Sequence, residues 1–329
     1  KMTIPSPSML HLICCVRAEE YTPIERYQDM KDLYHDIAIA YQKAIRAFYD
    51  AGCRYLQLDD TSWGEFCDAE KRKTYKERGF DLEEIAKSYV DMINLALEAK
   101  PADMTITMHI CRGNFRSTWF SSGGYEPVAK TLFGHCKVDG FFLEYDSERS
   151  GDFSPLRYIQ NQKVVLGLIT SKFPELEDKE EVKKRIQEAE KYVPKEQLCL
   201  SPQCGFSSTE EGNVMTEEEQ WKKVVFVKEI AEDGVIHVYS NESGKDVAQI
   251  PLTKLAELEK EVKDFVEYKL SAYKVANPTK RSDLLPKSIY AFDIPNEIAR
   301  VKRYKEYAEY CLKQLEQMQK ESYQTLMAA

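Results

Sequence analysis

The chain predicts an α/β protein on a parallel sheet, of the (β/α)8 TIM-type barrel class, and three observations carry that expectation. Short β-branched and aromatic runs alternate with stretches whose apolar residues recur at helical spacing, which is the pattern of βα units. Each strand run gathers its polar residues at its C-terminal end, where barrels of this class carry their active sites. The run Val164-Val165-Leu166-Gly167-Leu168-Ile169-Thr170 is apolar almost throughout, as a strand covered on both faces must be. A doubly wound open sheet fits the same alternation. Convergence of side chains from three separate strand ends favours the closed barrel.

In chain order, Lys1-Met2-Thr3-Ile4 reads as a first strand and Pro5-Ser6-Pro7-Ser8 as a rigid loop. Leu33, Ile37, Ile39, Ala40, Ala44, Ile45 and Phe48 give helical spacing over residues 27–51, closed by Gly52. Tyr55-Leu56-Gln57-Leu58-Asp59-Asp60 is a second strand that ends in two acids. A helix over residues 82–99 stops before Pro101 and leads into the third strand, which starts at Thr105. A shorter helix over 124–133 precedes the fourth strand, over 138–146, and Val164 to Thr170 forms the fifth. A charged helix over 180–192 leads to the sixth strand, Gln197 to Ser201, which runs into Pro202-Gln203-Cys204-Gly205-Phe206. A helix over 217–231 completes the alternation. The character then changes. Residues 235–239 and 247–250 predict a hairpin around Asn241-Glu242-Ser243-Gly244, and helical patterns rich in Lys, Glu and Tyr follow over 252–276 and 297–327. The expected organisation is a barrel over residues 1–233 and, over 234–329, a hairpin plus helical appendage for packing or for association of chain copies as a homo-oligomer.

Length and charge narrow the function. A chain of 329 residues holds one large α/β domain with an appendage. Its formal charge of −9 offers no basic stripe for phosphates, which argues against nucleic acid as a partner. No apolar run approaches the roughly 20 residues of a bilayer span, and nothing at the start has signal-peptide character. A cytoplasmic protein with no membrane partner is expected. The nine cysteines are odd in number and scattered, so they do not suggest a disulfide framework. Most read as small apolar filler, with ligand duty for one or two.

The chemistry concentrates at Met108-His109-Ile110-Cys111-Arg112-Gly113-Asn114. Residues two apart on a strand face the same way, so His109 and Cys111 aim an imidazole and a thiolate into one space. Arg112-Gly113-Asn114 then supplies turn chemistry at the strand's end. Alone, such a pair reads as readily as a core histidine beside a buried thiol. Two other strand ends provide partners. Glu144 follows Phe141-Phe142-Leu143, a setting in which an unpaired carboxylate is costly, and Cys204 lies in a turn between Gln203 and Gly205. One nitrogen, two sulfur and one oxygen donors suit four-coordinate zinc, Zn2+. Two thiolates and a carboxylate outweigh the ion's two charges, so the centre is a modest Lewis acid. It is suited to exchanging one ligand, with Glu144 the natural one to leave, for an incoming thiol bound as thiolate. His11, His35, His135 and His237 read as ordinary core or surface residues.

The segments KMTIPSPSML, YLQLDD, MHICRGN, FFLEYDSERSG, VVLGLITSKFPELE and LSPQCGF resemble the catalytic barrel of cobalamin-independent methionine synthase and its shorter single-barrel relatives, over residues 1–231. The resemblance implies that His109, Cys111, Glu144 and Cys204 are zinc ligands. It implies that Asp59 holds the amino group of homocysteine, with Asp60 beside it as a second acid, and that Ser6 lies in a loop lining the amino-acid pocket. The implied reaction moves a methyl group from a reduced folate to the homocysteine thiolate, giving methionine. That transfer needs an activated thiolate in line with the donor, an anion for the ammonium group and a general acid for the departing pterin amine. No residue is assigned to the last task.

Four departures qualify the resemblance. Asp60-Thr61-Ser62-Trp63 follows Asp59 where the family has Glu-Pro, and Thr170 stands where the family has a histidine. His11-Leu12-Ile13-Cys14-Cys15 lacks the aromatic that the family places there, and Trp63 or Trp119 is the expected replacement for stacking against the donor cofactor. The family barrel also begins with two βα units ahead of KMTIPSPS. The resemblance therefore implies a TIM-type barrel lacking its first two βα units, whose gap an upstream segment, the tail or a second chain would fill. Two further readings stand beside the methyltransferase: a zinc-stabilised paralogue serving as a scaffold, and an enzyme moving alkyl groups from a corrinoid to a thiol.

Overall fold

Strand order decides between the two parallel architectures. In a computed structural model of the chain, which describes residues 1–18, 20–208 and 211–235, one six-stranded sheet runs in sequence order. Its strands are β1 (Met2–Pro5), β2 (Tyr55–Asp60), β3 (Thr105–Ile110), β4 (Gly140–Glu144), β5 (Lys163–Ile169) and β6 (Leu198–Pro202). Each pairs in parallel with the next. A doubly wound sheet reverses its strand order at a switch point. This sheet keeps adding the next strand on the same side, as a (β/α)8 barrel does, and the described residues supply six strands in that order, consistent with a truncated TIM-type barrel.

Short polar caps start the crossover helices. Asp29, Asp81 and Asp178 accept backbone N–H bonds at the heads of α2 (Met30–Asp50), α5 (Leu82–Leu97) and α7 (Lys179–Ala189). Thr216 and Glu219 form a reciprocal capping box at α8 (Glu217–Ile230). In α6 (Glu126–His135) Pro127 falls within the first turn, where its missing N–H costs nothing. The core lies between the outer face of the sheet and these helices, and includes Leu56, Ile106, Met108, Phe141, Leu143 and Leu166. Register places the alternate residues on the opposite face: Asp59 beside His109, His109 beside Phe142, and Glu144 beside Gly167. That inner face carries the chemistry.

Three segments differ from the sequence expectation. Pro5-Ser6-Pro7-Ser8 is no loop: Ser6 sits at an N-cap and Pro7 opens α1 (Pro7–His11), which passes into a π-helical turn, Leu12–Arg17. Proline in the first turn after a serine is a helix start. Residues 62–77, left unassigned by periodicity, form α3 (Ser62–Cys67) and α4 (Ala69–Glu77). In α3 a glycine is demanded by close approach, since a Cβ on Gly64 would lie 2.5 Å from the carbonyl oxygen of Cys111. Val235 ends a π-helical turn, Ala231–Val235, that continues α8. The remainder of the expected hairpin and both tail helices lie outside the described residues. No helix among the described residues is long and apolar enough to cross a membrane.

Candidate metal centre

The end of β3 and two neighbouring strand ends bring four donors together. Ligand atoms of His109, Cys111, Glu144 and Cys204 all lie within 4.8 Å of one another. His109 Nδ1 is 3.3 Å from the backbone oxygen of Phe142. A carbonyl only accepts, so Nδ1 carries the proton in this bond, and Nε2 is left buried without a hydrogen-bond partner. Such an orphaned nitrogen is what a ligand imidazole presents to a metal. Cys111 Sγ accepts from the Gly113 N–H at 3.3 Å. Glu144 is fully buried, its Oε1 accepting from the Arg112 N–H at 2.8 Å and its Oε2 from Arg149 Nη2 at 2.9 Å.

Two features of the cluster suit a tetrahedral soft cation. Zinc–sulfur bonds of about 2.3 Å at the tetrahedral angle put two sulfurs about 3.8 Å apart, and Cys111 Sγ and Cys204 Sγ are 3.8 Å apart. The unpartnered Nε2 supplies the nitrogen donor. The residues therefore fit a four-coordinate metal ion.

The donors also set one another's protonation. Cys204 is held well below the ordinary thiol value, chiefly by the hydrogen bond from the Cys111 thiol and then by the charges of His109 and Lys172. Cys111 is pushed the other way by that same bond and by burial. Burial opposes a charge on His109, yet Cys204, Asp59 and Glu144 together outweigh it and lift the imidazole to about 10. Burial raises Glu144 above the usual carboxylate value.

The substrate-side residues divide by strand alternation. Asp59 shares the inner face with His109, its Oδ1 3.9 Å from Nε2, and its side chain is 44% exposed. Asp60, on the other face, does not join the site. It is completely buried and accepts from the Ser8 hydroxyl and from the Ser62 N–H at 2.6 Å. Ser6 is likewise internal, its hydroxyl 2.8 Å from that of Ser8. These three belong to the joint between α1 and β2. Trp63 is also corrected: it is fully buried with its ring edge-on to Phe66 and Tyr89, so it offers no face to a cofactor. Trp119 differs. It is 48% exposed, and Arg149, the partner of Glu144, lies 5.3 Å from its ring centroid.

Residues missed in the sequence surround the donors. Arg149 bridges Glu144 and Asp146, the latter at 2.7 Å, and Thr170 donates to the other oxygen of Asp146 at 2.9 Å. The Tyr125 hydroxyl accepts from the Glu144 N–H at 2.9 Å. Asn114 Nδ2 reaches Gly205 O at 2.6 Å and Ser208 Oγ at 2.7 Å, tying the loop after Cys111 to that after Cys204. The cluster of Glu144, Asp146 and Arg149 in one short run was the available signal for the first group.

Known proteins resemble the chain in family and fold. A profile of the cobalamin-independent synthase catalytic domain matches residues 19–225. The uncharacterised protein YxjH of Bacillus subtilis is 54% identical over 235 residues, which cover 71% of this chain and 61% of that protein. A solved structure from Listeria monocytogenes, provisionally named a vitamin-B12-independent methionine synthase, is 51% identical with a TM-score of 0.55, covering 70% of this chain and 63% of that one. A B12-independent methionine synthase of Shewanella sp. W3-18-1, solved in complex with selenomethionine, shares the fold at 17% identity and a TM-score of 0.51, over 70% of this chain and 61% of that one. The chain thus spans about three fifths of the length of these relatives. With the profile covering most of the barrel and its four donors converging, the chain belongs to the cobalamin-independent synthase catalytic-domain family.

Proposed function

We propose that the chain carries a zinc-dependent thiol methyltransferase site, with homocysteine as acceptor, a reduced methyl-folate as donor and methionine as product. His109, Cys111, Glu144 and Cys204 would hold the ion. Zinc, when bound there, lowers the pKa of an incoming thiol and presents it as a thiolate. The observation that carries the reading is the convergence of one imidazole, two thiols and one carboxylate within 4.8 Å.

The chain's own groups then have separate tasks. Asp59 is an anion on the inner face beside His109, placed to receive an ammonium group as a charge-assisted hydrogen bond. Glu144 keeps two hydrogen-bond donors of its own, Arg112 N–H and Arg149, so it stays satisfied whether or not it ligates. Trp119 offers an exposed ring near the centre for stacking against a planar donor. In the transfer itself, a sulfur electron pair forms the new carbon–sulfur bond and the donor leaves with the pair from its bond to the methyl carbon. Thr170 is engaged with Asp146 and, as an alcohol, is too weak an acid to protonate a departing amine.

The test is product formation by the purified chain with homocysteine and methyl-folate, with a methyl-cobamide in a parallel arm. Methionine from the folate arm, lost in His109→Ala or Cys204→Ser together with the bound zinc, supports the reading. Activity with the cobamide alone would replace the donor, and no transfer by a zinc-loaded protein in either arm would refute the enzyme.

A further inference from the structure

The segment Thr170-Ser171-Lys172, just past the end of β5, touches every strand end that brings a donor to the centre. Thr170 Oγ1 donates to Asp146, which shares Arg149 with Glu144. Ser171 donates from its N–H at 3.0 Å and its hydroxyl at 2.6 Å to Gln203 Oε1, one residue before Cys204. Lys172 Nζ donates to Gly113 O at 3.0 Å, Asn114 Oδ1 at 2.8 Å and Thr118 O at 2.9 Å, all in the loop that follows Cys111.

Lys172 stands out because the residue is 1% exposed and all three of these partners are neutral oxygens. Burying a cation without a carboxylate is costly unless other negative charge lies near. Burial lowers the Lys172 pKa, and Glu144, Cys204 and Cys111 act against that shift. Two thiolates and a carboxylate around a divalent ion would leave one net negative charge to offset the ammonium. Geometry adds a second role. Gly113, whose carbonyl Lys172 grips, sits at φ +96°, a conformation suited to glycine, and gives its N–H to the Cys111 sulfur. Asn114, gripped by the same ammonium, holds the Cys204 loop through Gly205 and Ser208.

We propose that Lys172 is a positioning residue of the metal centre, the buried counter-charge that locks the Cys111 and Cys204 loops at ligating distance. The proposal rests on the metal-site reading above. A structural staple alone would stabilise the fold without altering the metal's ligand field. Cobalt(II) loading of the full chain separates the two, read by the thiolate charge-transfer and d–d bands and by the rate of metal transfer to a chromophoric chelator. Lys172→Met is expected to shift the bands and to speed release at least about tenfold, the effect typical of losing an outer partner of a metal site. Lys172→Arg, which restores charge and donors, is expected to recover most of both. A folded Lys172→Met protein with wild-type bands and release rate overturns the proposal, even if it melts earlier. Should Lys172→Met fail to fold, Lys172→Gln decides in the same way, since it removes the charge and keeps an amide donor for the same oxygens. Shifted bands and faster release support the proposal, and unchanged ones overturn it. A wild-type chain that takes up no cobalt refutes the metal centre itself, a distinct result.

Discussion

Replacing Glu144 with glutamine tests whether this side chain has a structural duty besides ligation. The carboxylate is 0% exposed and holds Arg112 N–H at 2.8 Å and Arg149 Nη2 at 2.9 Å. A glutamine that keeps its oxygen on Arg112 turns its NH2 toward the guanidinium, placing donor against donor. Arg149 is 9% exposed and keeps Asp146 at 2.7 Å, so it is weakened rather than orphaned. A hydrogen bond to a charged group contributes about 1.5–3 kcal/mol, and stripping a buried charge of its partner costs about 3–5 kcal/mol. The surviving Asp146 contact keeps the cost in the upper part of the first range, about 2–3 kcal/mol. For a unit of this size each kcal/mol lowers the melting temperature by about 2–4 °C, so Glu144→Gln should melt about 4–12 °C below wild type. The assay is a thermal melt at neutral pH with chelator present, which removes any contribution from bound metal. A metal-free variant melting within about 1 °C of wild type would refute the coupling to Arg149.

Other expected outcomes follow from the same geometry. With His109 raised to about 10 and Cys111 raised by its bond to Cys204 and by burial, both are protonated near pH 7.5, whereas Cys204 is already ionised. Zinc uptake should therefore release about two protons, measured by calorimetry in buffers of different ionisation enthalpy; release of none would contradict this assignment. Trp63→Ala should cost about 3–5 kcal/mol as a core truncation. Trp119→Ala should leave stability within about 0.5 kcal/mol and raise KM for the methyl donor; equal stability effects in paired melts would contradict their opposite burial. Asp59→Asn should raise KM for homocysteine with an unchanged melt. Asp60→Ala should leave the Ser8 and Ser62 donors unpaired, at about 1–3 kcal/mol, and lower the melting temperature without a selective effect on KM.

Much of the fold was legible because parallel strands buried on both faces leave long apolar runs, and crossover helices leave amphipathic ones. The four donors were legible for a related reason. The period of two along β3 puts His109 and Cys111 on one face, and the apolar run before Glu144 marks it as buried. The same period also separates Asp59 from Asp60, so reading both as substrate anions overlooked the alternation that sends Asp60 to Ser8 and Ser62. The two buried helix starts were harder. Pro5-Ser6-Pro7 carries loop chemistry and helix-cap chemistry in the same letters, and Gly64 lowers the helical propensity of α3 although close packing on Cys111 requires it. Lys172 and Arg149 could not be found by periodicity. Arg149 lies in a single 3-10 turn, Glu148–Ser150, and Lys172 in a bend past β5, where charged residues are ordinarily solvated, and only the tertiary approach of three strand ends buries them.

The most direct measurement is zinc K-edge absorption of the loaded chain before and after addition of homocysteine. The account predicts a first shell of one nitrogen, one oxygen and two sulfurs, from His109, Glu144, Cys111 and Cys204, which gains a sulfur when the thiol is added. A first shell without sulfur, or one that saturating homocysteine leaves unaltered, would contradict it.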